Sequence, residues 1–227
     1  MTKRKKTVII LGATGLTGNI LLSNLLNDER YGKVKVFTRK PLGVVNSKLV
    51  EFQCDLLDLN VVKDDFMGDE VFCCIGTTAK KTPYKEFYKK IDFGIPVNAA
   101  TLCKANGIGT FVVMSSMGAN AKSSIFYNRT KGEMEQAVIT QNIKNTYILR
   151  PSIISGNRGE RRIGEKVSVV LMKLTQPLLI GSLRQYRAIN AEDIATAMIE
   201  LASNGSDKQI ILSDEIQKIA NMSLQNK

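Results

Sequence analysis

The chain has no histidine and no tryptophan, only five of its 227 residues are proline, and no apolar run reaches the roughly 18 residues that a transmembrane helix needs. The missing imidazole carries the most weight. It excludes Ser-His-Asp and Cys-His hydrolysis and every catalytic zinc site built on histidine. Proton transfer must then fall to tyrosine, lysine, cysteine, a carboxylate or water. The four cysteines, Cys54, Cys73, Cys74 and Cys103, lack the spacing of a zinc site, because two are adjacent and the others stand alone. They read as reduced core residues, and no metal centre is expected. The basic start, Lys3-Arg4-Lys5-Lys6, runs directly into Val8-Ile9-Ile10-Leu11 and Gly12 rather than into the apolar stretch of a secretory signal. The expectation is a soluble, cytoplasmic protein with no membrane partner.

Acidic residues are also in short supply, 21 against 32 basic ones, for a net charge of +11. Four of the positive charges stand in the first six residues. Two further basic stretches span 78–90, with five Lys and one Glu, and 158–187, with seven basic residues and two Glu. Neither interleaves arginine with stacking aromatics, and neither resembles a helix-turn-helix or related module. The charge therefore points to a small anionic ligand and not to nucleic acid.

The apolar residues fall into short β-branched runs that alternate with helical stripes, the pattern of βαβ units around a parallel sheet. Strands are predicted at 7–11, 33–38, 49–52, 70–75, 110–114, 146–149 and 209–212. Helices are predicted at 15–27, 91–106, 124–140, 166–174 and 191–203, with an extended piece at 186–189. The fold class is α/β, a Rossmann-like doubly wound parallel sheet with helices on both faces. A single domain spans 1–227, with 151–227 forming the substrate side.

Gly12-Ala13-Thr14-Gly15-Leu16-Thr17-Gly18 lies between the first strand and the first helix. Glycines there let the turn bend tightly and a pyrophosphate approach the backbone, while the helix N-terminus offers unpaired N–H groups to the anion. About 20 residues on, where a carboxylate would hold an adenosine ribose 2′-hydroxyl, the chain has Thr38-Arg39-Lys40. Two cations facing a 2′-phosphate favour NADP over NAD. Asp55, after the third strand, is placed to accept from the adenine amino group, and Ile75-Gly76-Thr77, after the fourth, to pass beneath the cofactor.

Tyr127 and Lys131 are four apart on a predicted helix and share a face. A lysine ammonium there makes the phenol more acidic, so that Tyr127 can exchange a proton near neutral pH. Ser116, at the end of the fifth strand, is the candidate to hydrogen-bond a substrate carbonyl oxygen. Tyr31 and Lys35 repeat the spacing, but across a predicted turn and strand that offer no common helical face.

The set Gly12-x-x-Gly15-x-x-Gly18, Ser116, Tyr127-x-x-x-Lys131 and Arg150-Pro151 resembles the short-chain dehydrogenase/reductase superfamily in its atypical branch. Within that branch, Phe72-Cys73-Cys74-Ile75-Gly76-Thr77-Thr78, Lys131-Gly132-Glu133-Met134-Glu135 and Arg158-Gly159-Glu160-Arg161-Arg162 are similar to the Tat-interacting-protein group of NADPH-binding proteins. The resemblance runs from Val8 to about Ile199. It implies an NADPH site made by Thr14, Gly15, Leu16, Thr17, Arg39, Lys40, Ile75, Gly76, Tyr127, Lys131, Pro151, Ile154 and Arg162, with Tyr127 as proton donor. Leu16 departs from the pattern, since a polar residue often stands there, while the short C-terminal region argues against sugar-nucleotide substrates. The resulting expectation is an NADPH-dependent oxidoreductase acting on a small carbonyl or alcohol. The alternative is an NADPH-binding redox sensor that signals to a protein partner with little or no turnover.

Overall fold

The computed structural model describes residues 4–155 and 181–225. Nine strands and six helices follow in chain order among them: β1 (Lys6–Leu11), α1 (Leu16–Asn27), β2 (Tyr31–Thr38), β3 (Leu49–Gln53), β4 (Glu70–Cys73), α2 (Lys85–Lys89), α3 (Ile95–Ala105), β5 (Thr110–Met114), α4 (Phe126–Ile139), β6 (Asn145–Arg150), β7 (Ile154–Ser155), β8 (Ile189–Asn190), α5 (Ala191–Asn204), β9 (Ile210–Leu212) and α6 (Ser213–Gln225). Seven strands form one sheet in the order β3-β2-β1-β4-β5-β6-β9, every neighbouring pair parallel. β7 and β8 pair separately.

A parallel sheet covered on both faces demands apolar residues at every position of its central strands. β1 meets that demand, with Val8, Ile9, Ile10 and Leu11 all fully buried. Val8 and Ile10, with Phe72, Val112 and Leu149 of neighbouring strands, join Leu21, Leu25, Ile194, Met198 and Ile216 of α1, α5 and α6. The alternate residues, Ile9, Leu11, Val71, Val113 and Ile148, join Ala99, Cys103, Met134 and Val138 of α3 and α4. These two half-cores bring α1 and α4 to opposite faces of the sheet, with their N-termini at its carboxyl edge.

Three differences from the sequence reading have physical causes. The helix expected at 91–106 starts earlier: α2 runs through a π-helical turn, Lys90–Gly94, into α3. Helix α6 was not expected, although Ile216, Ile219, Ala220 and Ser223 follow helical spacing and turn toward α5. The residues around 186, expected to be extended, form a 3₁₀ turn at Gly181–Tyr186 before β8. The helix expected at 166–174 lies outside the described residues.

Candidate functional site

β1, β2 and β4 end level with one another, since Leu11 is in register with both Phe37 and Cys73. The chain order reverses between β1 and β4, so the crevice beyond their carboxyl ends is where a parallel α/β sheet binds ligands. Gly12 turns the chain there with φ +87, and a Cβ on it would press within 2.9 Å of the Cys74 backbone. A Cβ on Gly18 would meet the Gly12 carbonyl oxygen at 2.1 Å, so α1 can approach the turn this closely only with hydrogen there. Gly15 caps α1 without a side-chain acceptor, and the first turn carries no acidic residue. The first N–H groups of α1 are thus left for an incoming anion.

A cavity of about 770 Å³ opens from this turn. Thr14, Gly15, Leu16, Thr17 and Gly18 form one wall, Ile75, Gly76 and Thr77 the floor, and Tyr127, Lys131 and Ile154 the far side, as the sequence implies. Gly12 frames the turn from outside the lining. Arg39 and Lys40 follow β2 at the same edge of the sheet; both are exposed, and neither is ion-paired among the described residues. They stand outside the cavity wall, where only a ligand extended along the edge past β2 would reach them.

Three expected residues are placed differently. Ser116 is buried but does not line the cavity; Ser115 does. The first residue past β5 still belongs to the ladder, its N–H donating to Leu149 O at 2.8 Å, and its side chain keeps the strand's alternation toward the crevice. Asp55 is exposed outside the cavity lining, and its Oδ1 accepts from Leu57 N–H at 3.0 Å. Pro151 is buried outside the lining, its carbonyl accepting from Met117 N–H at 3.1 Å. Arg162, like Arg158 and Arg161, lies outside the described residues.

The sequence reading missed the most buried charge in the site. Asp92, on the π-helical turn, is 1% exposed. Its Oδ2 accepts from Thr77 N–H at 2.7 Å, and its Oδ1 lies 3.0 Å from Lys131 Nζ. That second contact is a pairing of charges rather than an aligned hydrogen bond, because Oδ1 has no hydrogen-bond donor of good geometry. The signal was present: Asp92 falls four residues after Tyr88 and seven before Ala99, on the buried stripe of its helix. Tyr88, also buried, donates to Thr77 O at 3.4 Å, and burial, then the Asp92 charge, pushes its phenol well above the ordinary range. Its ring meets that of Tyr127 edge-on, with centroids 6.5 Å apart. Among the described residues the hydroxyls of Ser115 and Ser116 have no partner.

These features fit a dinucleotide. The glycine turn leaves room for a pyrophosphate, the start of α1 supplies donors, and Lys131 and Ser115 line the same cavity. A buried hydroxyl without a partner is uncommon in a finished core and expected where a ligand completes the bonding.

Comparison with known proteins agrees with this geometry. A family model described as NAD(P)H-binding matches residues 12–204. The chain is 32% identical over 227 residues to the mitochondrial protein FMP52 of Candida albicans, covering 95% of this chain and 98% of that one. It is 34% identical over 170 residues to protein HTATIP2 of Rattus norvegicus, covering 71% and 68%. Among solved structures, UDP-glucose 4-epimerase of Thermotoga maritima with UDP-glucose superposes with a TM-score of 0.68 at 16% identity, covering 97% of this chain and 84% of that chain. MoeE5 in complex with UDP-glucose and NAD gives 0.66 at 18%, covering 96% and 82%. These two share the fold, a Rossmann-like sheet flanked by helices.

The relatives also correct the expectation of a cytoplasmic protein. The FMP52 proteins of Candida albicans, Scheffersomyces stipitis and Debaryomyces hansenii are all named mitochondrial. That expectation rested on the lack of an apolar signal and of a long apolar run. Among the described residues no helix is long and apolar enough to cross a membrane, but mitochondrial addresses are basic and amphipathic, so neither lack bears on that compartment.

Proposed function

The chain belongs to the NAD(P)H-binding family, and from that premise we propose that it is an NADP(H)-dependent oxidoreductase that interconverts a small carbonyl compound and its alcohol. The observation that carries this reading is one cavity lined at one end by the glycine turn and the start of α1, and at the other by Ser115, Tyr127 and Lys131. A nicotinamide dinucleotide bound along it would supply the hydride.

Each protein group then has a task. The N–H groups at the start of α1 hold the pyrophosphate, and Gly76 lets the ring end lie on the floor without a side chain in the way. Lys131 would bind the adjacent ribose, and it stands one helical turn from Tyr127 on the same face of α4. Tyr127, 41% exposed, is open to a substrate entering from solvent and is placed to give its phenolic proton to a carbonyl oxygen there. Ser115 donates to the same oxygen and fixes its direction. The preference for NADP rests on Arg39 and Lys40, exposed beside the turn without a carboxylate partner. A mitochondrial location, by likeness to the FMP52 proteins, belongs to the same reading.

Titration of the protein with NADPH and NADH, followed by a panel of small aldehydes and ketones with Tyr127→Phe as control, tests it. NADPH should bind more tightly than NADH, and Arg39→Ala should reduce that preference by about tenfold or more, the loss of one charged hydrogen bond to phosphate. Equal affinity for the two cofactors would remove the NADP assignment. Binding of NADPH without turnover across the panel would leave a cofactor-binding protein and remove the chemistry.

A further inference from the structure

The groups facing Lys131 come from every element around it. Asp92 approaches from the π-helical turn and Tyr88 from α2. Cys73 lies on β4, its thiol pushed up to about 11 by burial, with Lys131 and Asp92 pulling it in opposite directions. Tyr127 stands one turn back on α4, and Lys81 and Glu192 line the same cavity. The other carboxylates of α4 are engaged elsewhere, Glu133 with Lys89 at 2.7 Å and Glu135 with Arg150. The carboxylate that reaches the lysine is therefore Asp92. The lysine side chain is 4% exposed and the aspartate 1%.

We infer that Asp92 is the positioning residue of this site, a carboxylate that holds Lys131 in place with one oxygen and clamps the Gly76-Thr77 floor with the other. The inference rests on the oxidoreductase reading for its purpose, though not for its test. A lysine this buried, without a counter-charge, would swing its four-carbon stem toward water. That change would take the ammonium away from the ribose it is placed to bind.

The local backbone explains how the carboxylate gets there. The π-helical turn widens the helix at Lys90–Gly94, and Asp92 faces inward from it; such turns recur at functional sites. The Thr77 peptide is gripped on both sides by this one segment, its N–H by Asp92 and its carbonyl by Tyr88. Gly76 sits over the ion pair, close enough that a Cβ would lie 3.6 Å from Asp92 Oδ1 and 3.9 Å from Lys131 Nζ. Floor and lysine thus meet the same buried carboxylate.

Asp92→Asn keeps an acceptor for Thr77 N–H and removes the charge, which separates pairing from simple packing. A brief pulse of acetic anhydride on the cofactor-free protein, read by peptide mass spectrometry, compares acetylation of Lys131 with that of exposed Lys85. Without its counter-charge Lys131 should leave its buried position for much of the time, and its labelling relative to Lys85 should rise about tenfold or more. A ratio within about twofold of wild type overturns the inference. Thermal melting supplies the second measurement. Asp92→Asn combined with Lys131→Met should melt above Asp92→Asn alone, because removing both charges costs less than orphaning one; simple addition of the two single losses would overturn the inference as well. If the wild-type protein failed to bind NADPH, the oxidoreductase reading would fall, while labelling and melting would still decide what Asp92 does to Lys131.

Discussion

Tyr31 and Lys35 stand at the same separation as Tyr127 and Lys131, yet one pair lies on a strand and the other on a helix. Along β2 four residues span about 13 Å, and the two side chains find separate partners. Tyr31 is fully buried and donates at 2.7 Å to Glu70, which also pairs with Lys6. Lys35 donates to Asp65 O at 2.8 Å and lies over the Phe52 ring. Around the strand pair the polar groups are matched. On α4 the same spacing brings both residues to one cavity, where the Ser115 hydroxyl and Asp92 Oδ1 lack an aligned hydrogen bond. Tyr31 closes the amino side of the sheet, whereas Tyr127 stands at its carboxyl edge with bonding capacity to spare. What distinguishes the two regions is the accounting of hydrogen bonds, which the spacing alone does not contain.

The sharpest way to break this comparison is to remove the two phenol oxygens in turn. Tyr127→Phe should lower turnover by about 10²–10⁴-fold, the usual contribution of a positioned acid, and change stability by no more than about 0.5 kcal/mol. Tyr31→Phe should do the reverse, costing about 1.5–3 kcal/mol for a buried bond to a charged group and leaving turnover as it was. Urea denaturation and initial rates on the same preparations measure both. A stability loss in Tyr127→Phe as large as in Tyr31→Phe would make the two regions alike.

The lysines extend the contrast. Lys131→Met leaves Asp92 buried without its cation and should cost about 3–5 kcal/mol, together with the affinity for NADPH. Lys35→Met removes a partly exposed donor and should stay within about 1 kcal/mol. Chemical denaturation, checked for a single transition by two probes, gives both values. The serines test a finer distinction at the same edge. Ser115→Ala should cut turnover by about 10²-fold, as does loss of one oxyanion donor elsewhere, whereas Ser116→Ala, whose side chain is absent from the cavity wall, should fall within about twofold of wild type. If the two serines exchanged behaviour, the assignment would return to Ser116.

How much of this was legible beforehand follows from the range of each interaction. The strand order needs only β-branched runs, short connections and right-handed crossovers, all local or nearly so. The glycine turn was legible because its glycines answer a backbone constraint inside seven residues. Asp92 was harder. A carboxylate on an apolar stripe marks a buried charge, but its partner is 39 positions away in a different helix. Ser115 and Ser116 differ only in which way the chain leaves β5, a matter settled by the pairing with Leu149 and by nothing local.

The smallest expected effect is on the alkaline side, where the two halves of the sheet are joined by groups kept neutral through burial. Burial raises the Cys73 thiol from 9.0 to about 11 and that of Cys103 to about 12. Tyr31 is raised far above its ordinary 10.0, by burial first and then by the charge of Glu70. For each of these groups the native state keeps a proton that the unfolded chain releases. Stability is therefore fully present below pH 9 and falls as pH climbs past it, by at most about 1.4 kcal/mol per unit for each group titrating in the unfolded chain alone. The thiols act first, from pH 9, and the phenol joins from pH 10. Tyr31→Phe should therefore match the wild-type slope between pH 9 and 10 and run shallower above it, while Cys73→Ala should make the first interval less steep by one thiol's share, the raised thiols of Cys74 and Cys103 still contributing. Urea midpoints taken at half-unit steps from pH 8 to 11 resolve the two phases. If Tyr31→Phe left the slope above pH 10 unchanged, the Tyr31–Glu70 bond would not hold the phenol neutral, and the strand copy of the spacing would lose the structural role that sets it apart from the helical one.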